Sequence, residues 1–177
     1  MSCCRQHRTG TPPSPIQPTG FFTGVQIRPV IIGVIVDYIA TYAGMYAYFF
    51  LYLANKLSEQ GELSQEALAD YMMSREGLMI GFAIGALGTA LGGFIAAQKA
   101  GKFQIKHGAF VGLGSLTVSF IEEMLQGGSM PMPEWFRALS ILSIIPAGAL
   151  GGYVAELLEG ALGSNGPGSG SRPRGGL

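Results

Sequence analysis

Charged residues are scarce in this 177-residue chain. Only 12% of the residues are Asp, Glu, Lys or Arg, the formal net charge is zero, and the two histidines, His7 and His107, lie far apart. A neutral chain offers no electrostatic surface for nucleic acid, and two distant histidines offer no His-rich metal site. The only cysteines, Cys3 and Cys4, are adjacent, so no disulfide framework is available. We therefore expect no metal, no cofactor and no nucleic-acid partner.

Sequence motifs of enzyme chemistry are also missing. The chain has no G-x-x-x-x-G-K-[ST] phosphate loop, and its glycines recur within apolar stretches rather than in a strand-to-helix turn. No serine is paired with a nearby histidine that would serve as its base. We therefore expect a protein that is not an enzyme.

Long uncharged stretches are what the chain has instead. Its mean hydropathy is +0.35, and 28 of its residues are Gly. The stretch 77–97 carries no charge, and a helix of about twenty apolar residues crosses the roughly 30 Å of a bilayer's hydrocarbon core. Three further apolar stretches have a similar length, so the sequence predicts four membrane spans, at about 30–53, 78–97, 107–125 and 135–158.

The predicted fold is all-α: an integral membrane four-helix bundle formed by one domain at 25–160. The proline-rich residues 1–24 predict a disordered N-terminal tail. The Gly/Ser-rich residues 161–177 predict a flexible C-terminal tail. The lipid bilayer is the partner that this fold requires.

The polar segment between the first two spans contains the signals of a short helix. Ser64 is a suitable N-cap, and Glu66 favours a helix N-terminus. We expect this helix to lie on the extracytoplasmic membrane surface and to continue into the second span through a bend at Gly77. A loop at 98–106 is expected between the second and third spans.

The positions of Lys and Arg predict the orientation in the membrane. Eight lie in the two tails and in the connection between the second and third spans: Arg5, Arg8, Arg28, Lys99, Lys102, Lys106, Arg172 and Arg174. Three lie on the other side: Lys56, Arg75 and Arg137. The positive-inside rule then places both termini in the cytoplasm. Small size, four spans and low charge resemble many small bacterial membrane proteins, so we expect the bacterial cytoplasmic membrane.

Small residues recur at every fourth position in the second span and therefore share one helix face. Such faces let membrane helices approach closely. They are typical of packing within one bundle, and the alternative is a glycine zipper in an oligomeric channel. We favour packing and predict that the helix-packing residues include Gly77, Gly81, Gly85, Gly93, Gly148 and Gly152.

Asp37 is the sharpest candidate for a functional residue because it lies inside the first span. A charge at the centre of a membrane helix costs about 2.5–3.5 kcal/mol and usually faces the bundle interior. Thr41 lies four residues further along the same face, and Thr89 and Ser115 lie at a similar depth in the second and third spans. We predict an intramembrane polar site in which Asp37 reaches toward Thr89 or Ser115. The favoured role of this site is a packing hydrogen bond, because a single carboxylate without a second buried charge makes a poor proton relay, and the alternative is a carboxylate that binds a proton or cation.

The remaining ionisable residues favour ordinary roles. Glu122 and Glu123 end the third span and are expected to be solvated, with a paired-carboxylate site as the alternative. Glu156 and Glu159 are expected to form surface ion pairs with Lys102 or Lys106. His107 is expected to be an interfacial polar residue, with a pH-sensitive group near Asp37 as the alternative.

The sequence is compatible with two functions, of which the first is favoured. The first is a non-enzymatic structural or accessory subunit that works through helix contacts, with a second copy or another membrane protein as its partner. The second is a small channel or transporter in which Asp37 binds a proton or cation. Only the second function requires a water-accessible path to Asp37.

Overall fold

A computed structural model describes residues 24–59, 64–125, 127 and 132–164. Within these ranges every regular element is helical and no strand occurs, which confirms the all-α prediction. The elements are α1 (Ile27–Tyr48), a π-helical segment (Phe49–Leu53), α2 (Ala54–Glu59), α3 (Gln65–Met73), α4 (Arg75–Ala100), α5 (Gln104–Leu125) and α6 (Glu134–Ser164). The predictions for residues 1–23 and 165–177, including Cys3 and Cys4, lie outside the described residues.

The prediction of four long apolar helices is also confirmed. Among the described residues, four segments are long and apolar enough to cross a membrane: Ile27–Lys56, Arg75–Ala100, Gln104–Leu125 and Glu134–Ala161. Each segment is longer than the span predicted from the sequence. In particular, α6 continues through Pro146 to Ser164, into residues predicted to be a flexible tail.

The connection between α4 and α5 is shorter than the loop predicted at 98–106. α4 remains helical to Ala100, and α5 begins at Gln104. Gly101 has φ 63°, the left-handed conformation that ends many helices. Because only three residues join them, α4 and α5 are antiparallel neighbours.

The helix predicted after Ser64 is present as α3, and the Ser64 hydroxyl accepts a hydrogen bond from the Ala67 N–H at 3.1 Å. The bend before α4 lies at Ser74, however, and not at Gly77. Ser74 is extended, with ψ 158°, and its hydroxyl caps α4 by accepting from the Gly77 N–H at 3.1 Å. Gly77 packs beneath α3, because a Cβ there would collide with the carbonyl oxygen of Tyr71.

Close glycine contacts hold the long helices together. α4 packs against α1, α5 and α6, and α5 also packs against α1 and α6. A Cβ on Gly93 would collide with the carbonyl oxygen of Gly148, and a Cβ on Gly148 would collide with that of Gly108. A Cβ on Gly152 would lie 2.5 Å from the carbonyl oxygen of Gln104. The packing predicted for Gly93, Gly148 and Gly152 therefore brings backbone against backbone.

The packing role predicted for Gly81 and Gly85 is wrong. A Cβ added at either residue would have no atom of another element within 4 Å. Both residues line a cavity between the long helices. The four-residue spacing places Gly81 and Gly85 on the same face of α4 as Gly93. At the level of Gly81 and Gly85, however, α4 lies further from the other long helices.

His107, predicted to be an interfacial polar residue, has a fully buried side chain near the end of the bundle that holds the α4–α5 connection. Its Nε2 accepts a hydrogen bond from the Gln26 N–H at 2.9 Å, and its Nδ1 lies 3.0 Å from the carbonyl oxygen of Phe103. Since Nε2 accepts, the proton resides on Nδ1, which donates to Phe103. His107 thus connects the start of α1 to the α4–α5 connection, far from Asp37 along the bundle axis.

The contrast between these glycines gives a test of the packing. Gly148→Ala must separate α5 from α6, and overpacking of this kind costs about 1–3 kcal/mol of unfolding free energy. Gly85→Ala is the matched control, because its added methyl group enters open space. Thermal unfolding of the purified protein in detergent should show a lower Tm for Gly148→Ala and an unchanged or higher Tm for Gly85→Ala. Equal Tm values for the two variants would contradict the packing described.

Candidate functional site

Asp37 lies in the middle of α1 and is only 4% exposed. Three hydroxyl groups surround its carboxylate. Thr41 of α1 donates to Oδ1 at 3.2 Å, Ser115 of α5 donates to Oδ2 at 2.5 Å, and Thr89 of α4 lies 3.2 Å from Oδ1 and 3.1 Å from Oδ2. The structure therefore brings together all four residues of the site predicted from the sequence, and one carboxylate joins three helices.

Two glycines of α4 make room for this carboxylate. A Cβ on Gly88 would lie 3.0 Å from Asp37 Oδ1 and would collide with the Thr41 hydroxyl. A Cβ on Gly92 would lie 3.0 Å from the Asp37 Cβ and would collide with the carbonyl oxygen of Gly33. The sequence pattern indicates a small face at these positions, but it does not show that a carboxylate occupies the space.

Within the described ranges no Lys, Arg or His side chain forms an ion pair with Asp37. Neither of the two ion pairs found among the described residues involves it; they are Lys56–Glu76 and Arg137–Glu123. The Thr89 hydroxyl carries one proton and can donate it either to Asp37 or to the carbonyl oxygen of Gly85, which is 3.0 Å away. A buried carboxylate with hydroxyl donors and no counter-charge is suited to bind a proton or a cation.

A cavity of about 370 Å³ adjoins the carboxylate. All four long helices line it. α4 contributes the open surface at Gly81 and Gly85, and α6 contributes Ser140 and Ser143. The gap between the helices at Gly81 and Gly85 is therefore the space through which a ligand would reach Asp37.

The cavity extends from Asp37 toward the end of the bundle where α5 ends and α6 begins. Ser115, Ser119 and Glu122 of α5 all line it, and their spacing of four and three residues places them on one helix face. The Tyr38 hydroxyl lies 3.5 Å from the Ser119 hydroxyl and donates to Glu122 at 3.4 Å. A row of polar groups therefore leads from the bundle interior to the end of α5.

Glu122 is a cavity residue that the sequence does not identify. The sequence predicts a solvated acid at the end of a helix, and the structure shows a half-buried side chain that lines the cavity. The signal that identifies it is the shared face with Ser115 and Ser119. Its neighbour Glu123 points elsewhere and pairs with Arg137 at 2.7 Å.

The predicted ion pairs at the other end of the bundle do not form. Glu156, Glu159, Lys102 and Lys106 line one cleft between the start of α5 and the end of α6, yet the ion pairs found within the described ranges include none of them. The Lys106 ammonium lies instead 5.1 Å from the centre of the Phe103 ring.

In the part of the chain that the structure describes, no three His, Cys, Asp or Glu side chains converge on a point that could hold a metal ion. Comparisons with protein-family models, with curated proteins and with solved structures found no match to this chain. The function must therefore be argued from the cavity itself.

The hydrogen bonds to Asp37 predict that two Thr→Val substitutions, at positions 89 and 117, differ in their effect on stability. Thr89→Val keeps the side-chain shape but removes a buried donor from the carboxylate, which should lower the unfolding free energy by about 1–3 kcal/mol. Thr117→Val is the control, because the exposed Thr117 hydroxyl bonds only to the carbonyl oxygen of Leu113 on its own helix. Chemical denaturation in detergent measures both. A Thr89→Val variant as stable as Thr117→Val would show that Asp37 does not depend on this donor.

Proposed function

We propose that this chain is an integral membrane protein that binds a proton or cation at Asp37, as a small channel or transporter. In this proposal α1, α4, α5 and α6 span the bilayer, and the cavity beside Asp37 holds water. No catalytic step is assigned to the protein, which changes the location of its ligand and not its covalent structure.

The distribution of apolar side chains supports membrane insertion. The long helices present large apolar side chains outward, including Ile39 at 64% exposure, Leu87 at 72% and Leu142 at 75%. The buried positions include polar residues such as Asp37 and Ser115. Exposing this much apolar surface on four helices is unfavourable in water and favourable in lipid.

The charge distribution supports one orientation. The connection between α4 and α5 is flanked by Lys99, Lys102 and Lys106, so the positive-inside rule favours the cytoplasm for this end of the bundle. The opposite end, with Glu122 and the cavity, would then face outward.

In that orientation α3 is the extracytoplasmic surface helix. Its contacts support a fixed position beside the bundle, because the hydroxyls of Tyr71 and Tyr48 lie 2.5 Å apart and the Lys56 ammonium lies 5.4 Å from the Tyr71 ring centre.

The observation that carries the proposal is the cavity that reaches Asp37. A carboxylate that served only to pack helices would be satisfied by the three hydroxyls and would need no adjoining space. A ligand site needs both the carboxylate and a path to it, and both are present. The accessory-subunit function also fits the fold but gives the cavity no role.

Flux measurements test this proposal. Purified protein in liposomes should carry protons or monovalent cations down a gradient, and Asp37→Asn should reduce that flux at least tenfold because it removes the titratable charge. The control variant is Glu156→Gln, which neutralises an exposed acid at the opposite end of the bundle. A pH-sensitive dye inside the liposomes reports proton flux, and ion-selective dyes report the cations.

Two results would contradict the proposal. One is a wild-type flux no greater than that of empty liposomes. The other is an Asp37→Asn variant that keeps its full flux. If wild-type flux is absent and Asp37→Asn mainly lowers the Tm, Asp37 is a packing residue and the accessory-subunit function is favoured.

A further inference from the structure

The lining of the Asp37 cavity has a consistent chemical character. Among the residues that the structure describes, the lining includes two carboxylates, Asp37 and Glu122, and no Lys, Arg or His side chain. Neither carboxylate belongs to an ion pair found among the described residues. An uncompensated pair of acids within an apolar bundle attracts cations and repels anions, so the cavity selects for positive charge.

The size of the cavity exceeds what a proton or a single metal ion requires. Its volume is about 370 Å³, whereas one water molecule occupies about 30 Å³ in the liquid. Small-molecule sites generally begin at about 300 Å³. The cavity therefore has room for an organic molecule of modest size beside the carboxylate.

Aromatic rings supply the second recognition element. Tyr38 and Tyr42 of α1 line the cavity as a tilted pair with ring centres 6.2 Å apart. Phe82 of α4 and Phe136 of α6 also line it, edge to face, with ring centres 6.5 Å apart. Aromatic rings attract ammonium groups through the negative charge on their faces and also bury apolar groups. An inorganic ion could interact with the ring faces but would bury no apolar surface against these four rings.

We propose, building on the proposed function, that the ligand of this cavity is a small organic cation with an ammonium group and an apolar body. The ammonium group binds beside the ionised carboxylate of Asp37, which the hydroxyls of Thr89 and Ser115 hold in place. The apolar body contacts Phe82 and Phe136. If Asp37 carries a proton beforehand, that proton passes to water as the cation binds, and no covalent bond in the ligand changes.

Binding measurements with two probes of the same shape test this inference. Benzyltrimethylammonium carries one positive charge, and neopentylbenzene is its neutral analogue with carbon in place of nitrogen. Calorimetric titration of the purified full-length protein should show at least tenfold tighter binding of the cation. Trp135, the only tryptophan, lies 5.7 Å from the Phe136 ring and offers a fluorescence signal for the same titration.

Three substitutions locate the site. Asp37→Asn should weaken binding of the cation at least tenfold. Glu122→Gln and Phe136→Leu should each weaken it severalfold, and both keep the inference testable if Asp37→Asn does not fold. Glu156→Gln, outside the cavity, should bind as the wild type does. A Tm for each variant establishes that it is folded.

The outcomes separate this inference from the proposed function. Cation binding that depends on Asp37 supports the inference even if the liposomes show no proton or inorganic-cation flux, in which case the proposed flux of those ions is wrong. Proton or potassium flux that depends on Asp37, without binding of benzyltrimethylammonium, overturns the inference and leaves the proposed function standing. Equal affinity for the two probes also overturns it, because the cavity would then be an unselective apolar pocket.

Discussion

The structure depends on one buried carboxylate and the three hydroxyl groups that hold it. Asp37 joins α1 to α4 through Thr89 and to α5 through Ser115. Placing such a group inside an apolar bundle is unfavourable unless its hydrogen bonds are satisfied. α4 therefore has glycine at positions 88 and 92, where the Asp37 side chain and the backbone of α1 approach α4 closely. This requirement constrains the position of α1 against α4 and α5, and the close contacts of Gly33 and Gly44 add to it.

The glycine-rich faces of the bundle serve two purposes at different depths. Toward the end at the α4–α5 connection, Gly93, Gly108 and Gly148 bring backbones into contact and close the bundle. Toward the other end, Gly81 and Gly85 contact no other helix and leave space beside Asp37. A bundle closed at one end and open at the other is the arrangement expected of a site reached from one side of a membrane. Glycine thus allows close helix packing at one end of the bundle and leaves space for the cavity at the other.

Much of this arrangement could be predicted from the sequence, because hydropathy and helix geometry are local properties. Thr89 and Ser115 lie at the same depth as Asp37 in their predicted spans, so the sequence predicts that these side chains are close together. The sequence does not show that Gly93 contacts another helix while Gly85 does not, since residue spacing defines a helix face but not the distance to the neighbouring helix. The bend at Ser74 and the half-buried position of Glu122 likewise depend on tertiary contacts, which a single sequence does not contain.

Solvent access to the cavity is the most direct test of a site that opens outward beside Asp37. In a protein with Cys3 and Cys4 replaced by Ser, a Ser119→Cys variant places a thiol on the cavity wall. Thr117→Cys places one on the same helix, exposed but outside the cavity. If the cavity is hydrated from outside, a membrane-impermeant methanethiosulfonate added to intact cells should label Ser119→Cys at least tenfold faster than Thr117→Cys, because only a hydrated thiol ionises readily. Equal rates for the two variants, or labelling of Ser119→Cys only from the cytoplasmic side, would show that the cavity is not open to the outside.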